Sequence, residues 1–181
     1  MARKYGPWTI KESIHKYQGK FIEVVEDQVI QPDGEPGTYA VVHMKPGISI
    51  LALGADETLY LTTQFRYAVG RDSLEAVSGA IDEGEKPLDA ARRELREELG
   101  IEAGEWTELG MVDLDTSIVN CPARLFLARR LNFVEKNQDA TEDIRLFKTT
   151  LDEAALKVME SEITHGPTCT LILKTLRLLR G

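Results

Sequence analysis

Cysteine and histidine are scarce in this chain and basic residues are outnumbered by acids, and each of these closes off a class of function. Cys121 and Cys169 are the only cysteines in 181 residues. They make no disulfide framework and match no metal-ligand spacing, so they read as reduced thiols. His15, His43 and His165 show no ligand spacing either and read as structural or surface residues. Lys and Arg number 22 against 30 acids, for a net charge of −8. No segment concentrates enough basic side chains for a broad phosphate-backbone contact, which excludes nucleic acid as the partner. No apolar run is long enough to span a bilayer, and the opening MARKYGPWTIKES lacks the apolar core of a signal peptide. The expectation is a soluble, cytoplasmic protein with no membrane partner. With 43% hydrophobic and 29% charged residues, the chain is large enough to bury a real core.

What is present is β-rich sequence first and helices later. FIEVVEDQVI, TYAVVHM, ISILAL and TLYLTTQF read as strands separated by QPDGEPG, KPG and GADE. A helix follows, with Pro87 in its first turn and Gly100 just past its end. WTELGMVDL and ARLFLARRL read as further strands, NFVEKNQDATED as a polar loop, and IRLFKTT as the last strand. LDEAALKVMESE and PTCTLILKTLRLLRG read as two closing helices, divided at His165 to Pro167. Phe147 and Met159 read as packing residues, and Trp8, Tyr17 and Tyr39 as core or dimer contacts. There is no internal repeat, low-complexity tract or interdomain linker. The order predicts an α+β fold, a mixed sheet with helices packed outside.

The first helix carries the chemistry. Leu88, Ala91, Leu95 and Leu99 form its apolar stripe, while Glu94, Glu97 and Glu98 fall within about 100° of one another on another face. Three carboxylates so close repel unless a cation sits among them, so neutralising any one is expected to stabilise the metal-free chain. A solvated face neutralised by Arg92, Arg93 and Arg96 is the plain alternative. A hard divalent cation such as Mg²⁺ is the functional one, because it takes oxygen ligands from a few carboxylates plus substrate phosphates.

The spacing favours the functional reading. Gly79, Glu85 after five residues and, after seven more, RELREELGI (Arg93 to Ile101) match every specified position of the Nudix box. A chance match in a chain of this length has a probability on the order of 10⁻⁷. The chain therefore resembles a Nudix hydrolase over nearly its whole length. That resemblance implies an α/β/α sandwich with a mixed sheet. It also implies hydrolysis of a nucleoside diphosphate linked to another group, with Mg²⁺ or Mn²⁺ held by Glu94, Glu97 and Glu98 and a further oxygen from the backbone carbonyl of Ser78 or Gly79. Glu94 and Glu98 are the catalytic candidates within the box. Gly79, Glu85, Arg93 and Gly100 are its structural residues, with Glu85 and Arg93 paired.

QFRYAVGRDSLEAVSGAIDEGE before the box resembles the ADP-ribose and nucleotide-sugar pyrophosphatases of that family. The likeness implies Arg66 as a substrate-binding residue, Glu142 in TEDIRLF as a catalytic acid, and an N-terminal β region (residues 1–45) that dimerises a Nudix domain (residues 46–181). Three departures leave the substrate open between ADP-ribose and a related nucleotide sugar. Thr116 and Ser117 stand where those relatives carry Pro, DTSIVNCPA replaces their Pro-Gly loop, and Val77-Ser78 replaces the usual Pro-Ala pair before the box. A binding module that senses a nucleotide without cutting it is the alternative function.

Overall fold

The computed structural model describes residues 2–135 and 143–181, and its contacts divide the chain into two units. The first comprises Met1–Lys45 with Asp113–Cys121, the second Pro46–Val112 with Pro122–Gly181.

The first unit is an antiparallel meander of β1 (Arg3–Tyr5), β2 (Trp8–Gln18), β3 (Ile22–Ile30) and β4 (Pro36–Met44). Its turns follow from residue type: Gly34 in QPDGEPG takes a φ of +95°, and the Asp33 carboxylate accepts from the Glu35 N–H at 3.0 Å. β1 and β2 were not evident as strands in the sequence, where Gly6 and Pro7 interrupt a mostly exposed run. Trp8 packs edge-on against Tyr39, with ring centroids 5.5 Å apart, whereas Tyr17 is exposed.

This unit is not one stretch of sequence. β9 (Ile101–Asp115) and β10 (Val119–Phe133) are each 15 residues long. The start of β10 pairs in parallel with β4, Val119 opposite Val42 and Asn120 opposite His43. The Val42 N–H also donates to the Ile118 carbonyl at 2.8 Å. Residues 113–121 thus join the first unit by hydrogen bonding across a long separation in sequence, a relation that reading element by element does not reveal.

The second unit is the expected α/β/α sandwich. Its sheet is built on β5 (Gly47–Leu53), buried along nearly its whole length. β5 runs parallel to β10 and antiparallel to β6 (Thr58–Arg66) and β8 (Val77–Ala80). β6 pairs in turn with β7 (Arg71–Glu75) and β11 (Arg145–Thr150). Helices on both faces of the sheet explain why ISILAL is apolar except at Ser49: a strand covered on both faces has no side turned to solvent. Period-2 alternation divides its side chains between two cores. Ile48, Ile50 and Ala52, with Phe126 and Ala128 of β10, pack against α1 (Pro87–Leu99). Leu51 and Leu53, with Leu125 and Leu127, pack against α2 (Leu151–Met159) and α3 (Gly166–Arg180). Phe147 packs against this second core, but Met159 at the end of α2 is exposed. Among the described residues no helix is long and apolar enough to cross a membrane.

Candidate active site

α1 is placed by its own sequence. Pro87 opens it where a missing N–H costs nothing. Gly100 closes it at φ 62°, ψ 39°, the left-handed conformation that glycine adopts without strain, and its N–H caps the Arg96 and Leu95 carbonyls. Ala90, Ala91 and Leu95 are fully buried against Val77 and Ile48. Ala90 widens the apolar stripe beyond the four residues that the sequence spacing picks out. With that face fixed on the sheet, Glu94, Glu97 and Glu98 are left partly exposed on the rest of the helix.

Arg93 organises this face. Its Nε and Nη2 donate to the two carboxylate oxygens of Glu85, both at 3.0 Å, and Nη2 also donates to the Ala80 carbonyl at 3.1 Å. Its Nη1 donates to Glu94 at 2.7 Å and to Glu97 at 3.2 Å. Glu85 accepts in addition from the Asp82 N–H at 3.1 Å. One guanidinium therefore ties the loop 80–85 to the helix and places a positive charge between two of the three acids. Hydrogen bonds from Arg93 hold the Glu85 carboxyl below the usual range, against the opposing effect of burial. The same bonds to Glu85, outweighing burial and supported by Glu94, hold Arg93 protonated well above the ordinary arginine value.

Repulsion among the three acids is thus relieved without a metal, at least for Glu94 and Glu97. Removing either charge relieves repulsion but also takes a partner from Arg93, so the two effects oppose each other in the metal-free chain.

The far side of the site is β8. A Cβ added to Gly79 would lie 2.6 Å from Glu94 Cγ and overlap the carboxyl group, so only glycine leaves room for Glu94 against the strand. Next to it, the Ser78 hydroxyl lies 2.9 Å from that of Ser49, its neighbour across the β5–β8 ladder, and donates to the Ala76 carbonyl at 3.0 Å. Ser49 is itself buried. A single polar side chain inside the apolar run ISILAL was the one sign of this pair in the sequence.

The side-chain groups that this face of α1 offers a cation are all hard carboxylate oxygens. That set suits Mg²⁺ or Mn²⁺ and no soft metal. Among the described residues no three acidic, thiol or imidazole side chains already converge on one point. The Glu97 side chain, 46% exposed, has room to turn from Arg93 toward an ion.

Arg66 lies at the end of β6, and its Nε and Nη2 donate to Glu75 at 3.1 and 2.7 Å. This bidentate pair fixes the guanidinium plane while the Arg66 side chain stays 42% exposed and that of Glu75 only 5%. Burial by itself would raise the Glu75 pKa, but hydrogen bonds from Arg66, then the nearby His165 and Ser73, bring it below the ordinary value. Glu75 was not singled out by sequence reasoning, because its partner comes from the other arm of a hairpin. Glu142 lies outside the described residues. Thr116 and Ser117 form a tight turn in the first unit, where the Ser117 N–H and hydroxyl donate to Asp115 at 2.8 and 2.6 Å.

Comparison with known proteins bears on this geometry. The family model of the NUDIX domain matches residues 43–163, and that of the nucleoside diphosphate sugar hydrolase N-terminal domain matches residues 8–42. The chain is 33% identical over 160 residues to an ADP-ribose pyrophosphatase of Mycobacterium tuberculosis (strain ATCC 25618 / H37Rv), covering 86% of this chain and 75% of the relative. It is 27% identical over 170 residues to an ADP-ribose pyrophosphatase of Bacillus subtilis (strain 168), covering 93% and 90%. A crystal structure of an ADP compounds hydrolase shares the fold with a TM-score of 0.84 at 20% identity, over 99% of this chain and 97% of that one.

Proposed function

Because the chain belongs to the Nudix family, we propose that it hydrolyses the pyrophosphate bond of ADP-ribose or a related nucleotide sugar, with Mg²⁺ or Mn²⁺ as cofactor. Water adds across the P–O–P bridge and two phosphate monoesters leave. The observation that carries this reading is the contact of Glu94 with Gly79, which brings the acids of α1 against the strand that opens the box. The names of the ADP-ribose pyrophosphatase relatives support the substrate class.

In this reading Glu94, Glu97 and Glu98 supply carboxylate oxygens, and the Ser78 carbonyl adds another. The chemistry that a bound divalent cation supplies is neutralisation of the diphosphate and activation of water. Arg93 holds helix and loop together and balances the acids when no cation is present. Arg66, oriented by Glu75, binds a substrate phosphate, a task suited to a planar guanidinium whose orientation is already fixed. Glu142, which precedes β11 in the sequence, orients or deprotonates the attacking water.

The first unit mediates a homodimer. It contains a cavity of about 800 Å³ lined by residues that include Trp8, Tyr39 and His43, and it exposes Tyr5, Tyr17 and Phe21. Free Cys121 and Cys169 suit the reducing cytoplasm assigned to the protein.

The deciding experiment is a screen of nucleoside diphosphate derivatives with Mg²⁺ or Mn²⁺, products being identified by mass. Cleavage in ¹⁸O water then locates the phosphorus attacked. Tight binding of a nucleotide with no cleavage would replace the enzyme reading by the sensing module.

A further inference from the structure

β7 and β8 meet at Ala76, a fully buried residue that belongs to neither strand. Its N–H has no ladder partner by default, and a buried donor left unsatisfied is costly. The acceptor comes from 92 residues away: Thr168 Oγ1, in the first turn of α3, at 2.8 Å. Thr168 is completely buried, and its hydroxyl lies 2.8 Å from His165 Nδ1. A hydroxyl has one proton and two acceptor sites, so Thr168 accepts the Ala76 N–H at one site and can give its proton to an unprotonated His165 Nδ1. We assign His165 the Nε2–H tautomer from this chain of donors and acceptors.

The segment from 75 to 78 is therefore held at successive residues from different elements. Glu75 is paired to Arg66 of β6, Ala76 is bonded to Thr168 of α3, and Ser78 is bonded to Ser49 of β5. Two of these ties come from strands of the same sheet. The tie through Thr168 alone reaches a helix, and it alone ends on a titratable ring.

We propose that His165 is a positioning residue, which acts through Thr168 to fix residues 76–78 and hence the Ser78 carbonyl and the Gly79 backbone against which Glu94 rests. This inference rests on the reading of that strand as part of a hydrolase site.

The device is sensitive to pH. The charged groups around the ring are Glu75 of β7, 3.7 Å from Nδ1, and Arg66 of β6 beyond it; Arg71 of β7 bonds Thr164 alongside, and Cys169 follows on α3 itself. Burial, aided by Arg66, favours the neutral ring over the attraction of Glu75. When His165 takes a proton, Nδ1 becomes a donor and can no longer accept from Thr168, and the ring is drawn toward Glu75. The hydroxyl must turn its proton elsewhere and its oxygen then accepts from both the Ala76 N–H and Nδ1–H, so the bond from Ala76 weakens. Because the neutral ring is the form favoured by folding, the contribution of the tie is fully present above the ordinary histidine value of 6.5 and is lost as pH falls through the lower value that the ring has in the folded chain.

The test uses the full-length protein and four variants: Thr168→Val, which removes the hydroxyl at equal volume; Thr168→Ser, which keeps it; His165→Asn, which offers a non-titrating acceptor; and His165→Leu, which offers none. The readouts are the protection factor of the Ala76 amide by NMR exchange in metal-free protein, and the pH profile of ADP-ribose hydrolysis at saturating Mg²⁺. Thr168→Val and His165→Leu should lower Ala76 protection at least tenfold and kcat about ten- to a hundredfold, with KM for ADP-ribose little changed. Thr168→Ser should restore both. His165→Asn should keep protection and kcat near the parent at neutral pH and remove the fall in Ala76 protection on the acid side. Parent-like Ala76 protection in Thr168→Val, or an unchanged acid-side fall in His165→Asn, would overturn the proposal. A parent protein that cleaves no nucleoside diphosphate derivative would overturn the hydrolase reading instead, and the exchange data would still decide the role of His165.

Discussion

The Glu94 carboxyl group rests against Gly79 so closely that even a methyl group there would displace it. The two residues come from different elements, the one from α1 and the other from β8, and their contact sets where the acidic face begins. Gly79→Ala is therefore expected to spare the fold, because the clash is with the end of a flexible side chain, and to impair the chemistry. Misplacement of a reacting group by about 1 Å costs roughly 10²-fold in rate. Melting within a few degrees of the parent, combined with a kcat lowered ten- to a hundredfold, is the expected pair of results. Full activity would mean that Glu94 is not needed where it stands.

Neutralising the acids one at a time separates metal binding from charge balance. Glu94→Gln, Glu97→Gln and Glu98→Gln should each lower turnover by orders of magnitude at saturating Mg²⁺. Without metal, Glu97→Gln should change stability by no more than about 0.5 kcal/mol, since it loses an exposed pair with Arg93 as it relieves repulsion. Thermal melts with and without Mg²⁺ check this, and the parent should gain stability with Mg²⁺ while the three variants gain less.

The pair of Arg66 and Glu75 predicts a pH dependence of stability. The Glu75 pKa lies below its ordinary 4.5 in the folded chain, so its contribution is fully present above that value and is lost as pH falls through the folded one. Glu75→Gln should cost about 1–2 kcal/mol at neutral pH, discounted for the exposure of Arg66, and should flatten the acid end of the stability curve. Urea unfolding between pH 3 and 7 would measure it. Activity should fall as well if Arg66 binds the phosphate.

Glu142→Gln should depress kcat by about 10² to 10⁴ with little change in KM, the usual magnitude of general-base help. Glu135→Gln and Asp139→Asn should stay near the parent. The opposite pattern would keep this stretch of sequence in the mechanism and move the role to another of its acids.

The homodimer is tested by light scattering at tens of micromolar. Deleting residues 1–45 is a blunt probe, because it strips β4 from the start of β10 and leaves Asp113–Cys121 without its unit. Replacing exposed Tyr17 and Phe21 by Ser is gentler and should shift the protein toward monomer with its melting point kept. A fully active parent that is monomeric at this concentration would sink the dimer assignment.

The sequence by itself determined what depends on neighbours along the chain. Pro87 and Gly100 bound α1, the spacing of Ala91 and Leu95 set its buried face, and the apolar β-rich run ISILAL marked β5 as a strand. The box residues were legible because their spacing is itself local. What joins distant residues was decided only by the tertiary structure. β7 and β8 are short strands whose partners lie elsewhere, and neither was evident from the sequence. Arg93 had several acids within reach, and the loop geometry is what divides its donors among Glu85, Glu94 and Glu97. Thr168 became the acceptor for Ala76 because α3 packs over the junction of β7 and β8 and a buried N–H must find a partner. Periodicity and capping act within a few residues, whereas satisfying buried polar groups is a condition on the packed whole.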